Sequence, residues 1–145
     1  MKEKIGDIWK ANCNIICITT NGIVKKNGEL VMGKGIALQA KQRYPRLAKH
    51  WGRYVNMSGN VPHMYEFNDV KLLSFPTKNN WMDKSDMSLI KSSTQLIANR
   101  SDLWYYKSIA LPRPGCGNGG LKWEDVKKEI EPILDDRFIV YSLEE

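Results

Sequence analysis

The sequence predicts an α/β fold with helices on both faces of a central sheet. Short apolar runs at residues 14–20, 70–75, 107–111 and 138–141 are typical of strands that are buried in a sheet. The segments between most of these runs carry apolar residues at helical spacing instead. Because strands and helices alternate along the chain, helices cover both sides of the sheet in the predicted architecture.

The first of these strands, at residues 14–20, leads through a long loop into a helical segment. Pro45 lies within that segment, and we expect it to restart the helix at a position that needs no amide donor. One apolar stripe continues across the proline. It consists of Ile36, Ala37, Ala40, Tyr44, Leu47, Ala48 and Trp51.

A hairpin and a second helix are predicted next. Residues 63–69 have the pattern of the first arm and the turn of a hairpin that enters the strand at residues 70–75. The helix that follows carries apolar residues between positions 89 and 97. We expect Asp83 or Ser85 to cap its first turn.

A third helix is predicted near the end of the chain. Its apolar stripe consists of Trp123, Val126, Ile130 and Ile133. We expect Pro132 to kink this helix or to end it early, because proline cannot donate a backbone hydrogen bond.

Composition excludes several classes of protein. The 145 residues are 42% hydrophobic and 26% charged, which is too apolar for a disordered chain and too mixed for a fibrous one. No apolar stretch approaches the roughly 18 to 20 residues that a membrane span requires, and the N-terminus lacks an apolar signal segment. We therefore expect a single domain over residues 1–145, a monomer that acts in the cytoplasm without a membrane partner.

The chain is basic. It contains 22 Lys and Arg against 16 Asp and Glu, which gives a formal net charge of +6 and a pI of about 9.2. Such a balance favours phosphate-bearing partners. The positive residues are scattered without a run of five or six, so a solvated surface explains them equally well.

The cysteines and histidines have no metal-binding pattern. Cys13 and Cys17 are separated by three residues rather than two, and neither His50 nor His63 is near this pair or near Cys116. Because a zinc site needs about four ligands, we expect no metal and three reduced cysteines that mainly pack. A Cys–His nucleophile pair requires closeness in space only and stays open.

Two glycine-rich loops each follow a strand and lead into a helix. The first runs from residue 20 to residue 37, and the second covers residues 112–121. Glycines let the backbone approach a ligand and expose its N–H groups, while a helix N-terminus adds partial positive charge. Ligands of α/β folds bind at the carboxyl ends of strands, so two such loops facing each other would hold a diphosphate.

Neither glycine loop matches a nucleotide-binding fingerprint. The segment at residues 33–35 lacks the third glycine of the dinucleotide motif. Gly115 and Gly120 have the spacing of a Walker loop, but Leu121 and Lys122 follow where Lys and Ser or Thr are required. ATPase and dehydrogenase chemistry are therefore disfavoured, and each loop taken alone is also compatible with a tight structural turn.

Together these segments resemble the macrodomain family, and within it the branch of the DarG antitoxin and the terminal ADP-ribose protein glycohydrolase. The segments that carry the resemblance are residues 6–8, 32–39, 75–78 and 109–124. The resemblance spans residues 6–141. It implies a macrodomain-like three-layer α/β/α sandwich with a mixed central sheet, a cleft for ADP-ribose, and neither metal nor organic cofactor.

The resemblance also implies which residues bind ADP-ribose. Asp7 would accept a hydrogen bond from the adenine amino group beside the Ile8 amide, with Tyr141 close by. Thr20 and Asn21 would lie near the distal ribose. The two glycine loops would line the distal ribose and the diphosphate through Gly33, Lys34, Gly35, Ile36, Arg113, Gly115, Cys116, Gly117, Asn118 and Gly119.

Lys78 matches the lysine that carries catalysis in this branch, and it follows the predicted strand at residues 70–75. Two features depart from the family pattern. Gly119 stands where the glycohydrolase has an aspartate that resolves the lysine adduct, and Asp125 falls a turn into the next helix, so this role is not assigned to it. Residues 23–30 also lengthen the first loop, either as a flap or hairpin over the distal ribose or as a surface insertion.

The expected function is removal of a single ADP-ribose from thymidine in DNA or from Glu or Asp in protein. A phosphatase for ADP-ribose 1″-phosphate and a non-catalytic ADP-ribose reader are alternatives. A general nucleic-acid binder is supported only by charge and five tryptophans. Single-stranded DNA would contact basic residues on or beside the two loops, namely Lys25, Lys26, Lys34, Arg113 and Lys122.

Overall fold

The computed structural model describes residues 1–143 and places one six-stranded sheet between two pairs of helices. The strands are β1 (Lys2–Ile5), β2 (Ile15–Thr20), β3 (Met64–Phe67), β4 (Val70–Pro76), β5 (Ile109–Pro112) and β6 (Phe138–Ser142). The helices are α1 (Gly35–Arg43), α2 (Leu47–Ser58), α3 (Met87–Ala98) and α4 (Trp123–Ile130). Three 3₁₀ turns cover Ile8–Lys10, Ser101–Leu103 and Gly117–Gly119.

The strand order is β1-β6-β5-β2-β4-β3, and within residues 1–143 only β3 runs antiparallel to its neighbour. The predicted hairpin is the β3–β4 pair, and its turn includes Asn68 at a φ of 53°. The predicted mixed sheet is therefore confirmed. Because the other five strands are parallel, their carboxyl ends meet at one edge of the sheet, and the glycine loops begin there.

Alternating side chains of the central strands form two hydrophobic cores. On one face, Cys17 of β2 and Phe75 of β4 pack with residues of α3 and α4. On the other face, Ile18 and Leu72 pack with residues of α1 and α2, including the fully buried Trp51. These two cores confirm the predicted three-layer α/β/α sandwich.

The caps of α3 differ from the expectation. Neither Asp83 nor Ser85 caps the helix; the Asp86 carboxylate accepts hydrogen bonds from the amides of Ser88 at 2.9 Å and Leu89 at 3.3 Å. The physical reason is that Ser85 is held elsewhere, since its amide donates to the Gly119 carbonyl at 3.0 Å. The prediction was wrong because this partner lies in a distant loop.

The two prolines at helix boundaries behave differently. Pro45 lies in the turn between α1 and α2, since α1 ends at Arg43 and the Leu47 amide that opens α2 donates to the Tyr44 carbonyl at 3.0 Å. The break is therefore a full interhelical turn, which is larger than the restart we expected. α4 ends at Ile130, which confirms the early end predicted from Pro132. Among residues 1–143, no helix is long and apolar enough to cross a membrane.

Candidate functional site

A cavity of about 570 Å³ opens at the carboxyl ends of β2, β4 and β5. Both glycine loops and the segment after β4 form its walls. A second cavity of about 670 Å³ adjoins it, and Ile36 and Pro112 line both. The two cavities therefore form one elongated cleft along the sheet edge.

The first glycine loop contributes residues 31–37 to the cleft. The Asn21 side chain holds this loop in place, because its amide group donates to the Val31 carbonyl at 2.8 Å and its oxygen accepts from the Ile23 amide at 3.0 Å. Gly35 opens α1 at a φ of +56°, a conformation that favours glycine. The loop thus delivers backbone N–H groups and the N-terminus of α1 to the same cavity.

The second glycine loop is a compact turn that is closed by backbone hydrogen bonds. The Leu121 amide donates to the Gly115 carbonyl at 3.0 Å, and the Gly120 amide donates to the Gly117 carbonyl at 3.0 Å. Gly115, Gly117 and Gly120 have φ values of +77°, +64° and +80°. A left-handed backbone at three positions explains why this loop needs so many glycines.

Lys78 lies in a braced segment between the two loops. The Thr77 amide donates to the Thr20 carbonyl at 3.0 Å, which continues the β2–β4 pairing past the strand ends. The Asn60 side-chain amide donates to the Lys78 carbonyl at 2.9 Å and to the Asn79 side-chain oxygen at 3.1 Å. The half-buried Lys78 side chain lines the first cavity.

The second cavity is formed by the segment after β1, one face of α1 and the end of β6. Asp7 caps the turn at Ile8–Lys10, and its Oδ1 accepts from the Trp9 amide at 2.9 Å. The side chain of Asp7 is otherwise exposed to the cavity. Tyr141 contacts Cys13 with 4.0 Å between its hydroxyl and the sulfur, and burial raises the pKa of the Tyr141 hydroxyl.

The structure brings the sequence-predicted site residues into this one cleft. Asp7, Ile8 and Tyr141 line the second cavity, and Lys78 lines the first. The other predicted residues also line the first cavity: Thr20, Asn21, Gly33, Lys34, Gly35, Ile36, Arg113, Gly115, Cys116, Gly117, Asn118 and Gly119. Two clusters of candidate residues that lie far apart in sequence are therefore close in space.

The sequence interpretation missed some lining residues. Gln39 and Arg43 project from α1 into the second cavity, on the same helical face as Ile36. Their spacing of three and seven residues after Ile36 is a signal that could have found them. Ser85 also lines the first cavity. Its position there depends on its contact with the second glycine loop, so no local sequence pattern indicates this serine.

The charged residues along the first cavity, within residues 1–143, are all cations: Lys34, Lys78 and Arg113. No carboxylate of this part of the chain lines it. Burial raises the pKa of the Cys116 thiol, against a smaller opposing effect of Arg113, so the thiol stays protonated at neutral pH. The cavity therefore suits an anion, and Cys116 is a poor thiolate nucleophile.

No cluster of three or more metal-ligating side chains occurs among the described residues. His50 and His63 pack against the rings of Tyr54 and Tyr65 between α2 and β3, away from both cavities. Among the described residues, no hydrogen bond joins either histidine to a cysteine, and the two rings contact the backbone oxygens of Met64 and Gly59 instead. The structure therefore does not form the Cys–His pair that the sequence left open.

The insertion at residues 23–30 is a hairpin braced against α2. Leu30 is fully buried and its amide donates to the Ala48 carbonyl at 2.8 Å. The hairpin approaches α2 so closely that a Cβ on Gly52 would lie 2.0 Å from the Gly28 carbonyl oxygen. Residues 23–30 do not line the first cavity. Of the two alternatives that the sequence left open, the structure therefore favours an insertion packed on the protein surface over a flap or hairpin above the distal ribose.

Comparisons with known proteins agree on one group. Over 115 residues the chain is 34% identical to a DNA ADP-ribosyl glycohydrolase of Thermus aquaticus. This aligned region covers 72% of this chain and 31% of the relative. The chain spans 31% to 36% of the length of the curated relatives that it matches. No protein-family model matches the chain.

Solved structures give the same result over nearly the whole chain. The macrodomain of Thermus aquaticus DarG superposes with a TM-score of 0.81 at 28% identity, covering 99% of this chain and 97% of that one. Thermosipho africanus DarTG in complex with ADP-ribose superposes with a TM-score of 0.80 at 24% identity, covering 97% of this chain and 41% of that one.

Proposed function

The chain belongs to the macrodomain family, and on this premise we propose that it is a hydrolase that removes mono-ADP-ribose from a modified macromolecule. The observation that carries the proposal is the position of Lys78 between two glycine loops in one elongated cleft. The similarity to the DNA ADP-ribosyl glycohydrolases and the DarG macrodomain supports it. We place thymidine-linked ADP-ribose in DNA first among the substrates.

ADP-ribose would lie along the cleft with its adenine in the second cavity. There Asp7 has a second carboxylate oxygen for the adenine amino group, since its Oδ1 caps the turn at Ile8–Lys10. The diphosphate would lie between the two glycine loops, where backbone N–H groups and the N-terminus of α1 favour an anion. The distal ribose would then reach Thr20, Asn21 and Lys78.

Hydrolysis adds water across the bond between the anomeric carbon of the distal ribose and the departing group. The water oxygen remains on the anomeric carbon as a hydroxyl group, and one proton of the water neutralises the negative charge of the departing group. Lys78 would either attack this carbon directly as an amine or, as an ammonium, stabilise the negative charge that develops on the departing group. In the first case the bond from Lys78 replaces the bond to the departing group, and water then breaks the new bond to release ADP-ribose. Because no carboxylate of residues 1–143 lines the first cavity, Lys78 would act with water and with substrate groups alone.

The charge of the chain supports a nucleic-acid substrate. The cavity that holds Lys78 carries three cations, and the whole chain has a net charge of +6. Turnover of a modified oligonucleotide should therefore fall more steeply with salt than turnover of a modified mononucleoside. Equal salt dependence for both substrates would show that the positive charge does not contact the DNA strand and only keeps the surface solvated.

A non-catalytic ADP-ribose reader is the second candidate. The absence of a carboxylate along the first cavity, among the described residues, favours it. The deciding experiment presents ADP-ribosyl-thymidine DNA, ADP-ribosyl-glutamate protein and ADP-ribose 1″-phosphate side by side. Release of ADP-ribose from the DNA supports the proposed hydrolase, release from the protein changes its substrate, and release of phosphate identifies the phosphatase. Binding of ADP-ribose without turnover would establish the reader.

We further propose that residues 1–145 act as a single macrodomain and as a monomer in the cytoplasm. All six strands belong to one continuous sheet, which supports a single domain. The cysteines Cys13, Cys17 and Cys116 are unpaired, which fits a reducing compartment. Light scattering after size-exclusion chromatography tests the monomer.

A further inference from the structure

Trp81 stands at the first cavity with an unpartnered indole ring. Its side chain is 48% exposed and lines the cavity together with Lys78. Within residues 1–143, the indole N–H has no hydrogen-bond partner and the ring contacts neither a cation nor another aromatic ring. Water therefore covers a large flat apolar surface beside the proposed reacting position, which is unfavourable unless a ligand replaces the water.

The other tryptophans near the sheet have structural roles. Trp51 is fully buried in the core. The Trp9 indole donates to the Gln39 side chain at 2.8 Å, and its ring packs under the Arg43 guanidinium at 4.5 Å. The Trp123 indole donates to Glu3 at 2.9 Å and its ring lies beside Arg113. None of these rings is available for a ligand in the way that Trp81 is.

The turn that carries Trp81 is held rigidly. The Met82 amide donates to the Asn80 side-chain oxygen at 3.0 Å, and the Asp83 amide donates to the Asn80 carbonyl at 3.1 Å. The Gly22 amide donates to the Asn79 carbonyl at 3.0 Å. An exposed ring on a fixed turn loses little conformational freedom when a ligand stacks on it.

The direction of the cleft determines which part of a substrate meets this ring. With adenine beside Asp7 and the distal ribose beside Lys78, the group attached to the anomeric carbon leaves the cleft past Lys78. Trp81 is three residues further along the same wall. The net charge of +6 favours a departing chain that carries phosphates.

We propose that Trp81 forms a nucleobase subsite, in which its indole stacks on the modified base or on the neighbouring base of single-stranded DNA. Aromatic stacking on bases combined with cations along the backbone is the general chemistry of single-strand recognition. An ADP-ribosylated Glu or Asp side chain has no flat ring for this contact. The subsite rests on the proposed function and adds to it a source of preference for DNA over protein.

The test measures binding in a Lys78→Ala background, so that the substrate survives. Trp81→Ala, Trp81→Phe and Trp104→Ala are compared for affinity to an ADP-ribosylated single-stranded oligonucleotide and to free ADP-ribose. Trp104 is the matched control, because it is 64% exposed but precedes β5 and so lies at the opposite edge of the sheet. Trp81→Ala should weaken oligonucleotide binding about tenfold and leave ADP-ribose affinity within about twofold. Trp81→Phe should keep most of the affinity, and Trp104→Ala should change neither ligand.

Unchanged oligonucleotide affinity in Trp81→Ala would overturn the subsite. An equal loss for both ligands would also overturn it and would place Trp81 in the ADP-ribose site. An equal loss for an ADP-ribosylated glutamate peptide would show that the ring contacts a protein substrate instead. Turnover by the wild type is measured separately, so a protein that binds the oligonucleotide through Trp81 without hydrolysing it would contradict the proposed activity and still support the subsite.

Discussion

The Ser85 side chain fills the space that a side chain at residue 119 would occupy. A Cβ on Gly119 would lie 2.2 Å from Ser85 Oγ and 3.2 Å from Ser85 Cβ. The Ser85 amide donates to the Gly119 carbonyl at 3.0 Å, and only 7% of Ser85 is exposed, so the serine has little freedom to move. The buried hydroxyl has no hydrogen-bond partner within residues 1–143. A side chain at residue 119 would therefore require the Ser85 hydroxyl to rotate away and the Ser85 backbone to shift, so packing favours glycine at this position.

Gly119→Ala should destabilise the fold by about 1–3 kcal/mol, because the new methyl group overlaps Ser85. Gly33→Ala is the matched control, since a Cβ there meets no atom within 4 Å, and it should change the free energy of unfolding by less than about 0.5 kcal/mol. Urea unfolding measures both. Adding Ser85→Gly to Gly119→Ala should recover part of the loss. Equal stability of Gly119→Ala and the wild type would disprove the tight contact.

Gly117→Val should abolish ADP-ribose binding while the protein stays folded. No atom lies within 4 Å of a Cβ at this position, so the reason is conformational: φ is +64°, which a β-branched residue adopts only with strain. Gly117→Asn is the control, because asparagine tolerates this region. Circular dichroism checks the fold and calorimetry measures binding. Wild-type affinity in a folded Gly117→Val protein would show that the loop is only a turn.

Asn60→Ala should lower kcat by about tenfold and leave ADP-ribose affinity nearly unchanged. The Asn60 side chain donates to the Lys78 carbonyl and to the Asn79 side chain, so its loss releases the segment that positions the lysine. Asn99→Ala, at the exposed end of α3, is the control. Steady-state kinetics on a modified oligonucleotide and calorimetry with ADP-ribose give the two readouts. A parallel loss of affinity would assign Asn60 to ligand binding instead.

Stability should decrease as the pH falls from about 7.5 to 5.5. Burial lowers the pKa of His63 below its usual 6.5, so the unfolded chain binds a proton more readily than the folded one in this window. The free energy of unfolding therefore falls as the pH drops through the pKa of the unfolded state. His63→Gln should flatten this slope in urea titrations. The carboxylates whose pKa is lowered, including those of Glu3 and Asp135, change the free energy of unfolding at lower pH, where carboxylates become protonated.

Local patterns predicted most of the fold. Strand β4 is apolar at most of its positions, and its end at Pro76 places Lys78 at the sheet edge. The positions of the glycine loops follow from the strand and helix boundaries on either side of them. What the sequence alone could not predict depends on contacts between distant segments, such as the pairing of Ser85 with Gly119 that makes Asp86 the helix cap.

The insertion and the far end of the cleft show the same limit. Residues 23–30 have a turn-forming composition, but only the absence of a side chain at Gly52 lets them pack on α2. Gln39 and Arg43 were missed because their helix was interpreted only through its apolar stripe. The polar face of the same helix lines the second cavity.

The role of Lys78 is the central claim, and one paired measurement tests it. Single-turnover release of ADP-ribose and ADP-ribose affinity are measured together for the wild type and for Lys78→Ala, with Lys84→Ala as an exposed control on the same segment. We expect Lys78→Ala to lose most of the hydrolysis while its affinity stays within about tenfold, or ~1.4 kcal/mol. Mass spectrometry separates the two roles of the lysine, since an adduct on Lys78 would indicate direct attack as an amine and its absence would indicate that the ammonium stabilises the departing group. Wild-type turnover in Lys78→Ala would contradict the account.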